Sequence, residues 1–262
     1  MIEGLLKGKS IVITGTGSGV GRAAAELFAK HGAKLICTDV QDGWLEETVA
    51  KVKAAGGEAK GVRCDVTKRA DLEAAVAAAV EAYGRLDVMY NNAGIATPMK
   101  AEGGMKSFTD NTEDDIERLY AVNVKGVILG CQVAIEQFRK QGGGGTIVNT
   151  ASAAGLIGWG GTLYGSTKGA VVNLVRTLAM EVAKENIRVN NVNPGSMATH
   201  FGVGAKGPLP QQALDSMAKI QPLGRIIDPM DCANAALFLA SDLSSNITGI
   251  NLPIDGGVSA GR

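Results

Sequence analysis

With Lys+Arg and Asp+Glu balanced at 26 each over 262 residues, the chain has no net field to draw nucleic acid or an anionic membrane. Its length suits one large α/β domain over residues 1–262, since no Pro/Ser-rich or charge-rich linker divides it. Cys37, Cys64, Cys131 and Cys232 are scattered, with no CxxC and only His31 and His200 to join them, which argues against a metal site and for buried, neutral thiols.

The first predicted strand, residues 10–14, runs into Thr14-Gly15-Thr16-Gly17-Ser18-Gly19-Val20-Gly21 and a helix over 19–31. Glycines at alternate positions of a strand-to-helix turn let the backbone approach a ligand closely, and the helix N-terminus offers unpaired N–H groups to a pyrophosphate. In this context the turn reads as a dinucleotide site, with a simple tight turn as the alternative. A strand over 34–38 ends at Asp39, eighteen residues after Gly21. A carboxylate there accepts hydrogen bonds from the adenosine ribose hydroxyls and repels a 2′-phosphate, favouring NAD over NADP. Neither the turn nor Val40 and Gln41 supplies an Arg or Lys for that phosphate, although Asp is also a common strand terminator.

Alternation continues with a helix over 43–55, a strand over 59–64, a helix over 68–83, a strand over 86–90, a long helix over 112–140 and a strand over 146–150. Then come a helix over 162–184, a strand over 187–192, a helix over 229–240 and a strand over 250–254. Continuous apolar runs in the strands predict burial on both faces and a parallel, doubly wound sheet of about seven strands with helices on both sides. In the 162–184 helix, Val171, Val175, Leu178 and Val182 form an apolar stripe that passes through Tyr164 and Lys168. One helical turn puts the Lys168 ammonium near the Tyr164 phenol, whose free pKa of about 10 makes it a poor base unless a cation favours the ionised form. With Ser152 twelve residues upstream, the three residues read as an acid/base centre for hydride transfer.

Together these features make the chain resemble the short-chain dehydrogenase/reductases, in the subgroup carrying TGxxxGxG and YxxxK, nearly end to end. The resemblance rests also on Asp65-Val66 after the third strand, Asn91-Asn92-Ala93-Gly94 after the fourth, Asn123 in Val122-Asn123-Val124-Lys125-Gly126, Pro194-Gly195-Ser196-Met197-Ala198-Thr199, and the terminal Pro253-Ile254-Asp255-Gly256-Gly257. Ala151 stands where many members have a second Ser, and Thr16-Gly17 replace a commoner Ala-rich pair. The resemblance implies a Rossmann-type fold and a catalytic set of Asn123, Ser152, Tyr164 and Lys168. Tyr164 serves as general acid or base, Ser152 polarises the reacting oxygen, Lys168 lowers the phenol pKa and binds the nicotinamide ribose, and Asn123 holds a water linking Lys168 to solvent. The implied cofactor set adds Gly15, Ser18, Gly19, Val20, Gly21, Asp39, Val40, Asp65, Val66, Asn92, Ala93, Gly94, Pro194, Gly195, Met197 and Thr199 to Tyr164 and Lys168. A homotetramer is implied too, built on the two long helices.

For the substrate, residues 195–221 read as a lid, studded with Gly202, Gly204, Gly207, Pro208 and Pro210. Ala154, Leu156, Trp159, His200 and Phe201 are the expected pocket residues, mainly apolar and without an Arg or Lys anchor. A neutral, bulky secondary alcohol or ketone follows, with cyclic, terpenoid or steroid-like compounds first. Two other readings compete: an NADP-dependent 3-oxoacyl thioester reductase, which Asp39 disfavours, and a non-catalytic dinucleotide sensor, which the complete tetrad disfavours. Residues 1–7 lack a signal-peptide core, and apolar runs such as 74–80 are too short for a bilayer, so a cytoplasmic enzyme is expected and the sequon at Asn246 goes unused.

Overall fold

The computed structural model describes residues 3–96, 100, 104–198, 201 and 210–261. Among these, seven strands form one parallel sheet: β1 (Ser10–Thr14), β2 (Lys34–Asp39), β3 (Glu58–Arg63), β4 (Val88–Asn91), β5 (Gly145–Thr150), β6 (Ile187–Pro194) and β7 (Asn251–Ile254), in the order β3-β2-β1-β4-β5-β6-β7. The order reverses between β1 and β4, the place where a doubly wound sheet opens a crevice at its carboxyl edge. Eight α-helices accompany it: α1 (Gly19–Lys30), α2 (Asp42–Ala54), α3 (Arg69–Tyr83), α4 (Glu113–Tyr120), α5 (Gly126–Gln141), α6 (Thr162–Val182), α7 (Gln211–Ile220) and α8 (Pro229–Ala240).

Strands β1 and β4 are buried throughout, because both of their faces are covered. Ile11 and Ile13 of β1 join Phe28 of α1 and Leu237 of α8 on one face, while Val12 joins Leu72 of α3, Phe138 of α5 and Val175 of α6 on the other. Each such side chain contributes roughly 1.5–3 kcal/mol on burial. The α6 stripe lies as its spacing predicts: Val171, Val175 and Val182 are fully buried and Leu178 packs against the same core.

One polar feature crosses this interior. Asn91, Asn149, Asn191 and Asn251 are register partners on four successive strands, β4 to β7. Their amides form a chain, Asn91 Nδ2 to Asn149 Oδ1 at 2.9 Å, Asn149 Nδ2 to Asn191 Oδ1 at 3.1 Å and Asn191 Nδ2 to Asn251 Oδ1 at 2.8 Å. Asn191 and Asn251 also donate to the Val171 and Val172 carbonyls of α6, at 3.0 and 3.2 Å, tying the helix that carries Tyr164 and Lys168 to the sheet. Asn149→Ala would strand an amide on Asn91 and a carbonyl on Asn191. A loss of roughly 2–5 kcal/mol is expected, two unsatisfied buried groups at their usual cost, read as the fall in urea midpoint at constant m-value.

Three expectations change. Burial on both faces fails at the sheet edges: only Ala59 of β3 is buried, and β7 has no fully buried residue, since neither strand has a second neighbour. The helix predicted over 112–140 starts at its capping Thr112, whose side chain accepts from the Asp115 N–H, but is interrupted by a π turn at Ala121–Lys125. The run Glu113–Gln141 spans 29 residues and, by length and composition alone, is long and apolar enough to cross a membrane. It lies instead with Leu119, Val127 and Phe138 buried in the fold. Within the segment read as an irregular lid, residues 211–220 form α7, a helix with no buried residue; Thr199, His200 and residues 202–209 lie outside the described residues.

Candidate active site

The glycine turn is built by close packing. A Cβ on Gly15, whose φ is +70°, would stand 2.8 Å from Ala93 Cα, and one on Gly21 would stand 2.0 Å from the Gly15 carbonyl oxygen. Asn92 closes the back of the turn, donating from Nδ2 to the Thr14 and Gly15 carbonyls at 3.0 and 3.2 Å, while its own N–H and that of Ala93 donate to Thr14 Oγ1. Ser18 occupies the N-cap of α1 without capping it through its side chain, and no acidic residue stands in the first turn. The N–H groups there face outward for an anion. At the end of β2, Asp39 accepts from the Gly17 N–H through Oδ2 at 2.8 Å and from the Gln41 N–H through Oδ1 at 3.0 Å, which orients its carboxylate at the mouth of the turn.

On the other side of the switch point stand the residues expected to form an acid/base centre. Lys168 is fully buried and donates from Nζ to the Thr150 carbonyl at 2.8 Å, leaving two of its three donors for a ligand. Burial brings its ammonium down from 10.5 to about 8. The same ammonium lies 5.7 Å from the centre of the Tyr164 ring. Tyr164 keeps part of its ring open, yet burial pushes its phenol up to about 12, a shift that a hydrogen bond with Ser152 moderates. The depression of the phenol pKa expected from Lys168 is not seen in the cofactor-free chain, where desolvation by burial is the largest cause and raises it. Ser152 Oγ accepts from the Ala154 N–H at 3.2 Å and donates to the Pro194 carbonyl at 3.4 Å.

Asn123 is buried in the π turn, and its side-chain amide is fully engaged. Its Oδ1 accepts from the Ile95 N–H at 2.9 Å and its Nδ2 donates to the Ile95 carbonyl at 2.9 Å and Thr167 Oγ1 at 3.2 Å. With both donors used, the side chain fastens the loop after β4 to α6.

A single cavity of ≈ 580 Å³ joins the two halves, within the range of small-molecule and cofactor sites. Gly15, Ser18, Gly19 and Val20 line one end with Asp39, Val40, Asp65 and Val66; Ser152, Tyr164, Lys168, Pro194, Gly195 and Met197 line the other, with Asn92, Ala93 and Gly94 between. A nicotinamide dinucleotide fits this donor set. The cradle has no room for side chains at Gly15 and Gly21, the α1 N–H groups suit its pyrophosphate, Asp39 suits its adenosine ribose, and Lys168 suits the second ribose.

The comparisons with known proteins agree. A family model described as Enoyl-(Acyl carrier protein) reductase matches residues 15–259. The chain is 40% identical over 257 residues to the 2,5-dichloro-2,5-cyclohexadiene-1,4-diol dehydrogenase LinX of Sphingobium indicum, with 98% of each chain covered. It belongs to the short-chain dehydrogenase/reductase family. Other members of this family similar to it are the meso-2,3-butanediol dehydrogenase of Serratia marcescens, 37% identical with 96% of this chain and 95% of that protein covered, and the L-rhamnose 1-dehydrogenase (NAD(P)(+)) of a Sphingomonas strain, 38% identical with 97% of each covered. The crystal structure of a putative short-chain dehydrogenase/reductase from Burkholderia xenovorans superposes with a TM-score of 0.89, 33% identity and 99% of each chain covered. Membership makes the chain an oxidoreductase of the alcohol dehydrogenase type that works with a nicotinamide dinucleotide.

Within this family member, not every expected site residue reaches the cavity. Gly21 shapes the turn from behind, and Thr199 and His200 lie outside the described residues. Of the expected substrate-pocket residues that are described, Phe201 alone lines the cavity, its ring edge-on to that of Tyr164 at 5.9 Å between centroids. Ala154 is buried beside Gly160 and Leu156 packs against the core, and neither they nor Trp159 line the cavity. Missed by sequence were Trp44, Thr67, Ile95, Arg118, Val122 and Thr150, all lining the cavity. Trp44 was findable, as an aromatic residue five positions beyond the strand-end acid. Thr150 was not, because its contribution is a main-chain carbonyl.

The four cysteines are free and buried, and burial pushes their thiols up to about 12.

Proposed function

We propose that this chain is an NAD-dependent dehydrogenase and ketoreductase interconverting a neutral, bulky or cyclic secondary alcohol with its ketone. The observation that carries the cofactor choice is Asp39, whose two oxygens are each held by one backbone N–H at the mouth of the glycine turn. A fixed carboxylate there meets a ribose diol with acceptors and a 2′-phosphate with repulsion. Relatives acting, by their names, on a cyclohexadiene diol, butanediol and rhamnose support a neutral alcohol, and the apolar Met197 and Phe201 beside Tyr164 support a bulky one.

Nicotinamide supplies or accepts the hydride when bound. The chain's own residues handle the proton and the charge. Tyr164, kept neutral by burial, donates its proton to a carbonyl oxygen during reduction and is left as the phenolate; alcohol oxidation is the reverse, with the phenolate taking the alcohol proton. Ser152 hydrogen-bonds that oxygen as charge develops, and its bond to the Ala154 N–H keeps the hydroxyl in place. Lys168, positioned over the phenol ring and anchored on Thr150, stabilises the phenolate as it forms and presents its remaining donors to the ribose. Asn123 holds α6 against the loop after β4, fixing Tyr164 relative to Gly94 and Ile95.

The assembly we propose is a homotetramer in the cytoplasm. Ile116, Tyr120 and Ile128 on α4 and α5 and Met180 on α6 are large apolar residues left exposed on one chain, and free thiols accord with a reducing compartment.

Initial rates on a panel of cyclic, steroidal and aryl secondary alcohols, with NAD and with NADP, test the reading in the parent and in Asp39→Ser. Two unit charges near 4 Å interact by about 4 kcal/mol at an effective dielectric of about 20, so even partial relief should narrow the NAD/NADP ratio in kcat/KM by roughly ten- to a hundredfold. A parent that prefers NADP, or a ratio that Asp39→Ser leaves unmoved, would reduce this aspartate to a strand terminator.

A further inference from the structure

Arg22 stands in the first turn of α1, directly after Gly21, and its guanidinium folds back beneath the glycine turn. Nη2 donates to the Gly17 carbonyl; Nη1 and Nη2 donate to the two oxygens of Glu47 at 2.9 and 3.0 Å; Nε donates to Thr48 Oγ1 at 3.0 Å. The buried Thr48 hydroxyl in turn donates to the Thr16 carbonyl at 2.9 Å. Helix α2 is thereby bonded to both residues at the crest of the turn. The opposite side of Gly17 is the part that matters for a ligand, for its N–H donates to Asp39 Oδ2 at 2.8 Å. A Cβ on Gly17 would stand 2.8 Å from that oxygen and 3.0 Å from Trp44 Cβ, so Gly17, Asp39 and Trp44 are packed as one unit.

Asp39 and Trp44 line the cavity, whereas Arg22, Glu47 and Thr48 do not. We infer that Arg22 is a positioning residue for the adenosine end of the cofactor: locked by Glu47 and Thr48, it sets where the Gly17 peptide stands and, through that peptide, the Asp39 carboxylate and Trp44. This rests on the proposed reading of Asp39 as the ribose carboxylate. An exposed ion pair alone contributes little, but a planar fork satisfied by a carboxylate, a hydroxyl and a carbonyl is a geometric device. Lysine, a single point charge, cannot reproduce it.

The test is calorimetric titration of the purified parent, Arg22→Lys, Glu47→Gln and Asp39→Ser with ADP-ribose and, by competition, with nicotinamide mononucleotide. Loss of one charge-assisted contact predicts an ADP-ribose Kd about tenfold higher in Arg22→Lys, and a smaller rise in Glu47→Gln, with the mononucleotide Kd unchanged within about twofold. KM for NAD should rise in parallel while kcat at saturation stays near the parent's. An unchanged ADP-ribose Kd in Arg22→Lys beside a weakened Asp39→Ser would overturn this inference alone. No weakening in Asp39→Ser would overturn the reading of Asp39 and the inference with it. Equal weakening of both ligands in Arg22→Lys and Glu47→Gln would show that the clamp supports the whole fold rather than the adenosine end.

Discussion

Tyr164→Phe should retain the fold and the binding of NAD and lose turnover by roughly 10²- to 10⁴-fold, the usual contribution of a placed general acid or base. Its hydroxyl is the proton-bearing group that burial keeps neutral beside Ser152, and no second titratable donor lines this end of the cavity among the described residues apart from Lys168. Removing one oxygen atom leaves the ring, its contact with Phe201 and its place under the Lys168 ammonium intact. Single-turnover rates with a ketone and NADH, compared with NADH affinity by fluorescence, separate the step from binding. Turnover within a few-fold of the parent would mean that the proton comes from elsewhere.

Lys168→Met should do two opposite things: abolish most activity and stabilise the cofactor-free protein. The buried ammonium has its pKa brought from 10.5 to about 8, which means that folding pays for desolvating a charge. Below pH 8 the folded and unfolded states both hold the proton and the cost is present in full. Between about 8 and 10.5 the unfolded state binds more protons, so this lysine's unfavourable contribution fades as pH rises, and above 10.5 it is gone. Methionine of similar shape removes that cost, while the lost bond to the Thr150 carbonyl returns part of it. A net gain of about 2 kcal/mol at pH 7, roughly 4–8 °C in Tm for a chain of this size, is expected. The gain should shrink as the pH of the thermal scan is raised from 7 to 10. Destabilisation at pH 7 would show that the Thr150 bond outweighs desolvation.

Much of the catalytic end was legible in the chain because its signals are local. Tyr164 and Lys168 lie one helical turn apart on the buried stripe of α6, and the glycine turn sits between β1 and α1, where spacing alone places it. Their chemistry was less legible. A phenol beside an ammonium reads as a lowered pKa when the pair is taken alone, whereas in the folded, cofactor-free chain burial shifts the phenol up and the ammonium down. The substrate wall was less legible too. Leu156 and Trp159 follow Ser152 closely in sequence, but they are not among the residues that line the cavity.

The amino-acid sequence by itself determined the alternation of strands and helices, the parallel sheet, the glycine turn and the helical pairing of Tyr164 with Lys168, because each is written in a continuous apolar run, a period of 3.6 residues or a short fixed spacing. Tertiary structure alone decided which Asn faces which. The ladder joins Asn91 to Asn149 across 58 positions and Asn149 to Asn191 across 42, and only strand register brings them together. It likewise decided that Arg22 would be locked by Glu47, 25 positions away, instead of facing the ligand. Register and burial are properties of the packed sheet, set by elements distant in the chain, and no local pattern carries them.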